Sequence, residues 1–368
     1  MINMDRHGLP FLFKVLSVET ALSIQAHPDK VRAQHLHATR PDLYKDDNHK
    51  PEMALAVTRF EALCSFQRAN HVLQNCHSTP ELVAVVGDAA VAELAAACEL
   101  AAPLTPARPL SPSTSGAPAA LSQQETSADD EARHAVIKPA LSILFTRLMS
   151  AEPAVVAKHL DSLIRRINIT TPMLRTPIDE LAVRLNEQYP GDVGVFCVYL
   201  LNYVALEPGQ ALFLGANEPH AYISGDCVEC MAASDNVVRA GCTPKFRDVE
   251  TLTSMLTYSD GPPHILAGQE LGARVLRYLP PVEEFLVDRA MLEAGVQATL
   301  PSTPGVSIIL VLSGGGTLEE FPEDGVGSAG LLHTVDAGAV FVASADTFIR
   351  LRTIEQPMCV FRAAAQQF

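Results

Sequence analysis

Basic residues are in short supply in this sequence: 27 Lys and Arg stand against 42 Asp and Glu, a formal net charge of -15. That balance speaks against nucleic acid and anionic membranes as partners, although an acidic protein can still carry a local basic pocket. Long apolar runs are also absent. None reaches the ~18 residues of a spanning helix, and the longest, residues 195–206, has the length of a buried strand. Residues 1–10 lack a basic segment followed by an apolar run, so no secretory signal is visible. The eight cysteines are scattered and lie mostly among apolar neighbours. They read as free thiols of a cytoplasmic protein rather than as a disulfide framework. No repeat of fixed period is found.

What is present is enough for a core. The 368 residues are 48% hydrophobic, and at ~150 residues per domain they make two or three domains. Residues 11–18 are apolar and rich in β-formers, interrupted only by Lys14 and Ser17, and predict a buried strand. Residues 22–27 alternate as a short strand that Pro28 stops, and a helix is expected over 29–39. The stretch 70–100 is Ala-rich with helical period. Residues 101–132 are low in complexity and read as a flexible loop. Helical patterning resumes over 139–167 and 177–188. From Asp192 onward the pattern is β-like, with strands expected over 195–203, 210–214, 220–223, 227–232, 307–313, 340–343, 348–351 and 358–362. Turn residues 207–209 and 224–226 punctuate them. Many short strands with Gly and Pro turns point to jelly-roll barrels or sandwiches.

Four clusters could carry chemistry. Ser23, Gln25 and His27 share one face of an extended segment; this is an ordinary half-exposed strand or a ligand site, since imidazole binds zinc well and an amide oxygen weakly. In His49-Lys50-Pro51-Glu52 the proline fixes the backbone. Glu52 could hold a cation, and Lys50 could neutralise charge or move a proton; a solvated turn is the plain alternative. In the third cluster His220 and Tyr222 share a face, as do Cys227 and Glu229. Cys230 points away from Cys227, which argues against a chelating or redox pair. In the fourth, Arg239 sits among Val and Ala and needs an anionic partner. Asp235 could supply it as a structural ion pair, or the guanidinium could face an anionic oxygen in a pocket.

Taken together, the fragments Phe11-Leu-Phe-Lys-Val-Leu-Ser-Val18, Ser23-Ile-Gln-Ala-His-Pro28, Asn48-His-Lys-Pro-Glu-Met53, Pro219-His-Ala-Tyr222, Gly225-Asp-Cys-Val-Glu-Cys-Met231 and Ala233-Ser-Asp-Asn-Val-Val-Arg-Ala-Gly241 resemble type I mannose-6-phosphate isomerases, in the family's order. Tyr278-Leu-Pro-Pro281 is similar to the family's entry into its C-terminal cupin. The resemblance implies a mainly β fold of two cupin-like, jelly-roll domains with a helical insertion. The first domain comprises residues 1–68 and 192–260, the insertion 69–191, and the second domain 261–368. It implies a zinc enzyme, with one Zn2+ per chain, that interconverts mannose 6-phosphate and fructose 6-phosphate through an enediol(ate) and feeds GDP-mannose synthesis. Carried over by position, the zinc ligands are Gln25, His27, Glu52 and His220, and the catalytic arginine is Arg239. Lys50, Glu229 and Asp235 are candidates for the proton-transferring base, and Tyr222 and Ser23 for substrate contacts. The same donor set would also accept iron, cobalt or manganese. A monomer acting on a hexose 6-phosphate is expected.

The sequence departs from that family at its start. It begins close to the Phe-Leu-Phe-Lys strand, without the longer leading segment and its Tyr/Trp-Gly motif, and it has no tryptophan at all. The first cupin is therefore expected to lack strands and to expose sheet edges and apolar surface. A non-catalytic cupin that binds metal or sugar phosphate is the alternative expectation.

Overall fold

A computed structural model describes residues 8–102, 128–322 and 331–366. The first β-unit is a nine-stranded antiparallel sheet. Its strands are β1 (Phe11–Val18), β2 (Ile24–Ala26), β3 (Glu52–Ala56), β4 (Phe60–Phe66), β5 (Leu201–Leu206), β6 (Ala211–Leu214), β7 (His220–Ala232), β8 (Val238–Gly241) and β9 (Ile265–Leu266). Helix α1 (Lys30–Thr39) follows β2, its N-terminus capped by the Asp29 carboxylate on the Arg32 N–H.

The spine of this unit is β7, 13 residues long. Its first half pairs with β4 and touches β2; its second half pairs with β1 and β3. The expected turn at 224–226 is not a turn. The chain bends there without leaving the sheet, because Gly225 takes a φ of 102° that a side chain would resist. A Cβ at this position would lie 2.3 Å from the Arg59 carbonyl oxygen. The Asp226 N–H and C=O stay bonded to Thr58 Oγ1 and the Val57 N–H, so the corner costs no ladder partner.

Two further expectations are corrected. The apolar run 195–203 is not a strand at first. Val193–Tyr199 form a fully buried 3-10 helix, and β5 begins only at Leu201. A continuous apolar run carries no period that separates buried helix from buried strand. Here Asp192 decides: its carboxylate accepts from the Gly194 and Cys242 N–H groups, both at 2.7 Å, and opens a helical turn. The strand over 11–18 has the expected bounds but is not buried. Only its ends, Phe11 and Val18, are covered, and Leu12 and Val15 are 46% and 43% exposed. Among the described residues β1 pairs with β7 alone, leaving its other edge open.

The helical insertion comprises α2 (Ala69–Ser78), α3 (Pro80–Val86), α4 (Asp88–Ala101), α5 (Ala128–Met149), α6 (Pro153–Ile169) and α7 (Pro177–Gln188). Its apolar faces share one core with the β-unit, including Leu94, Leu141, Phe145, Leu160 and Phe196. The low-complexity loop is shorter than expected at both ends. Ala101 ends α4, and residues 128–132 start α5, where Asp129, Asp130 and Glu131 face the positive end of the helix dipole. Residues 103–127 lie outside the described residues. Helix α5 also runs through Pro139, which was expected to begin it. Arg133 on α5 is buried and paired bidentately with Asp260, locking the insertion to the segment after α8 (Val249–Met255). No single helix among the described residues is long and apolar enough to cross a membrane.

The second β-unit is another nine-stranded antiparallel sheet. It contains β10 (Gln269–Gly272), β11 (Val275–Tyr278), β12 (Leu286–Leu292), β13 (Gln297–Leu300), β14 (Ser307–Pro322), β15 (Leu332–Asp336), β16 (Val340–Ala343), β17 (Thr347–Arg352) and β18 (Met358–Ala364). Its Asp288, fully buried, is neutralised by Arg277 and Arg362. The two units share a core in which Phe11, Met53 and Val228 meet Phe285, Val287 and Phe361. Each buried Phe contributes about 1.5–3 kcal/mol. The Tyr278 hydroxyl seals the seam by donating to the Gly209 carbonyl at 2.6 Å. The fold is thus mainly β, two curled jelly-roll sheets with a helical insertion, as the sequence led us to expect.

Candidate metal centre

Three elements meet inside the first β-unit. His27 follows β2, Glu52 opens β3 directly after Pro51, and His220 opens β7. Their side chains are only 1–3% exposed. His27 Nε2 lies 3.1 Å from Glu52 Oε1, and His220 Nε2 lies 3.3 Å from Glu52 Oε2. The two rings sit with centroids 5.1 Å apart.

The far side of each imidazole is already engaged. His27 Nδ1 lies 2.6 Å from the Asn236 carbonyl, and His220 Nδ1 lies 3.0 Å from the Glu218 carbonyl. A carbonyl can only accept, so each Nδ1 carries a proton and each Nε2 is turned toward Glu52. His27 is held neutral: burial pushes its pKa below the usual range, more than Glu52 pulls it up. Burial alone would raise Glu52, yet the two histidines bring its carboxyl well below the usual range. His27 Nε2, Glu52 Oε2 and His220 Nε2 are buried with no hydrogen-bond partner. Such atoms are costly unless something occupies the space between them. One donor atom from each residue lies within 4.8 Å of the others. Two imidazole nitrogens and a carboxylate suit a divalent transition metal, so the residues present fit such an ion.

The other residues singled out in the sequence divide into two groups. Several gather at this centre. Gln25 is the register partner of both His220 and Arg239, and Ser23 Oγ is 3.4 Å from its Oε1. Lys50 Nζ is 3.6 Å from Glu52 Oε1. Glu229 is buried, and its carboxyl is pushed up by burial and then by the Glu52 charge. The Tyr222 hydroxyl beside it is buried without a full partner, and burial lifts its pKa well above the usual phenol range. Arg239 is partly buried and held by its backbone in the β2–β8 pairing, while its guanidinium has no hydrogen bond or ion pair with any described residue.

Asp235 stands apart. It is exposed, is not paired with Arg239, and is tied through its own N–H to Asp46 Oδ2 at 2.7 Å. His49 also turns elsewhere, to Glu284 of the second β-unit. Cys227 and Cys230 are buried free thiols; the other cysteines are free as well, all of them buried except the half-buried Cys98. Two contributors were missed. Lys14 Nζ pairs with Glu229 Oε2 at 2.9 Å; its signal was a lone charge in an apolar strand. Asn236, which holds His27, offered no such signal.

A buried His–Glu–His cluster inside a jelly-roll β-unit defines a metal-binding protein of the cupin type. Known proteins narrow this further. The family model of the phosphomannose isomerase type I catalytic domain matches residues 1–69, and that of the type I helical insertion domain matches residues 116–201. Mannose-6-phosphate isomerase 2 of Arabidopsis thaliana is 43% identical over 363 residues, covering 98% of this chain and 74% of the relative. The Rattus norvegicus mannose-6-phosphate isomerase is 38% identical over 366 residues, covering 96% and 77%. A solved zinc-bound mannose 6-phosphate isomerase superimposes with a TM-score of 0.72 at 25% identity, covering 99% of this chain and 81% of that one. A phosphomannose isomerase variant from Salmonella typhimurium shares the fold, with a TM-score of 0.74 at 24% identity and coverage of 99% and 80%. The chain belongs to the type I phosphomannose isomerase family, and is an isomerase by that membership.

Proposed function

We propose that this chain interconverts mannose 6-phosphate and fructose 6-phosphate, with a zinc ion held by His27, Glu52, His220 and Gln25. The observation that carries the reading is the convergence of three buried, unpartnered donor atoms from His27, Glu52 and His220. Family membership supports the substrate pair, and the solved zinc-bound relative supports zinc over other ions that this donor set would take.

The reaction moves a carbonyl between C1 and C2 of the open sugar. A base takes the C2 proton and returns it to C1, the O2 hydroxyl proton passes to O1, and negative charge builds on the oxygens of an enediol(ate) between the two carbon transfers. Bound zinc would act as a Lewis acid that stabilises oxygen charge and orients the substrate hydroxyls. Arg239 supplies a permanent cation to the same developing charge. Lys50, next to Glu52, adds a second positive group. Glu229 is the carboxylate we assign to proton transfer. It is buried next to the centre, Lys14 holds it in place, and the Tyr222 hydroxyl lies against it. Asp235 is exposed and committed to its loop, which makes it the weaker candidate. Ser23, beside Gln25, is assigned to substrate contact.

The product would enter mannose activation for GDP-mannose synthesis. The free, buried thiols support a reducing, cytoplasmic setting. A monomer is the working assembly. Purified protein in a coupled assay tests the reading. Turnover of either hexose phosphate is expected, with zinc present by elemental analysis. Arg239→Ala is expected to lose activity while keeping its zinc. Sugar-phosphate binding without any turnover at high protein concentration would replace the isomerase with a non-catalytic cupin.

A further inference from the structure

Asn236 is 1% exposed, yet it sits in a loop rather than in a strand. Its carbonyl is the group 2.6 Å from His27 Nδ1. Its side-chain Nδ2 faces three acceptors: the Asp46 carbonyl at 2.8 Å, Asp46 Oδ1 at 3.2 Å and the Asn48 carbonyl at 2.9 Å. Its neighbours close on the same two residues. Ser234 Oγ donates to Asp46 Oδ1 at 2.8 Å, and the Asp235 N–H donates to Asp46 Oδ2 at 2.7 Å. Asn48 Nδ2 answers by donating to the Ala233 carbonyl at 3.0 Å. The 46–48 segment leads into Glu52 and the 233–236 segment leads into Arg239. One clasp therefore ties the approach to the carboxylate, the approach to the guanidinium and the back of His27.

The arrangement costs something. Asn236 Oδ1 is buried without a partner, a loss that secondary structure does not require. An aspartate here would set a carboxylate against three acceptors, so the position needs a donor of this shape.

The chemistry at His27 gives the clasp a purpose. A neutral imidazole has two tautomers. If the Asn236 carbonyl moved away, the proton would gain by shifting to Nε2, where Glu52 Oε1 waits at 3.1 Å. That tautomer buries the lone pair a metal needs, and an incoming ion would have to displace the proton first.

We propose that Asn236 is a positioning residue of the metal centre. The Asp46–Asn48 clasp on its side chain holds its carbonyl on His27 Nδ1 and so keeps the Nε2 lone pair directed at Glu52. The inference rests on the metal-centre reading above.

The test measures zinc dissociation constants of full-length apoprotein against a chromophoric chelator, for wild type, Asn236→Ala and Asp46→Asn. Thermal unfolding of the apo forms is measured in parallel, and 15N-histidine spectra report the His27 tautomer. Asn236→Ala is expected to weaken zinc binding by about 10–100-fold, the usual effect of removing a group that orients a ligand. Its His27 signal is expected to shift from pure Nδ1–H toward a mixture. Asp46→Asn keeps the volume and one acceptor oxygen, and it is expected to weaken zinc in the same direction by less. If Asn236→Ala does not fold, Asp46→Asn decides alone. Apo variants that lose stability but bind zinc as tightly as wild type, with an unchanged His27 tautomer, would overturn the inference and leave a purely structural clasp. A wild-type protein that binds no zinc would instead overturn the metal centre itself.

Discussion

Gly225 offers the sharpest test of how the fold builds the site. It is the corner of β7, the strand that carries His220 before the bend and Glu229 after it. In Gly225→Ala the new methyl would sit 2.3 Å from the Arg59 carbonyl oxygen and 3.0 Å from Phe60 Cα. Both are backbone atoms of the approach to β4, so neither can rotate away. The φ of 102° adds a second cost, because residues with a Cβ rarely adopt it. A sparsely populated backbone conformation costs about 1–3 kcal/mol, and overpacking at a filled position costs a further ~1–3 kcal/mol. Together they amount to about 2–6 kcal/mol, against a total stability of about 5–15 kcal/mol for an ordinary domain. The strain is relieved only by moving β7 away from β4, which also parts His220 from Glu52. Urea unfolding should therefore show a large fall in midpoint, and zinc retained after dialysis should fall with it. A variant with a loss under about 1 kcal/mol and full zinc retention would show that the corner is not where the site is set.

Other expectations follow from single contacts. Lys14→Met removes the cation that holds down a Glu229 carboxyl already raised by burial and by Glu52; the acidic limb of kcat/KM against pH should move to higher pH, and an unmoved limb would take Glu229 out of proton transfer. Asp248 has its carboxyl lowered by Thr251, Tyr44 and Arg40 against the opposing effect of burial. A depressed folded-state pKa contributes stability that is full above the unfolded value and is lost as pH falls through the folded one. The urea midpoint of wild type should fall on acidification below about pH 4 more steeply than that of Asp248→Asn, and parallel curves would refute the assignment. Chelating the metal should lower the thermal midpoint, since an ion at 100 times its Kd stabilises the folded state by about 2.7 kcal/mol; His220→Ala should unfold at one temperature with or without zinc.

Local chemistry was the legible part of this protein. Pro177 at the first helical position after Thr176, with Asp179 completing a capping box, marks α7 from sequence alone. Asp29 marks α1 in the same way. Decisions made by distant partners were not legible. The run at 193–199 becomes a 3-10 helix because Asp192 also binds the Cys242 N–H, a residue far along the chain. Ser224-Gly225-Asp226 has turn composition, and only the pairing of β7 with strands on both sides of the bend keeps it in the sheet. The burial of β1 could not be read from its own composition, because it depends on what lies beside it. At the site, Gln25, His27, Glu52 and His220 were reached through family likeness, and the geometry then brought His27, Glu52 and His220 together. Lys14 passed as an interruption in a strand, since an ion pair with Glu229 has no signature in either segment. Asn236 was hidden for a similar reason: it works through its backbone carbonyl, which every residue possesses.

The most direct test is elemental analysis of exhaustively dialysed protein, comparing wild type with the His27→Ala/His220→Ala double variant. The account predicts about one zinc in each wild-type molecule and a background level in a double variant whose circular dichroism is unchanged. Equal metal in the two proteins, or none in either, would contradict it.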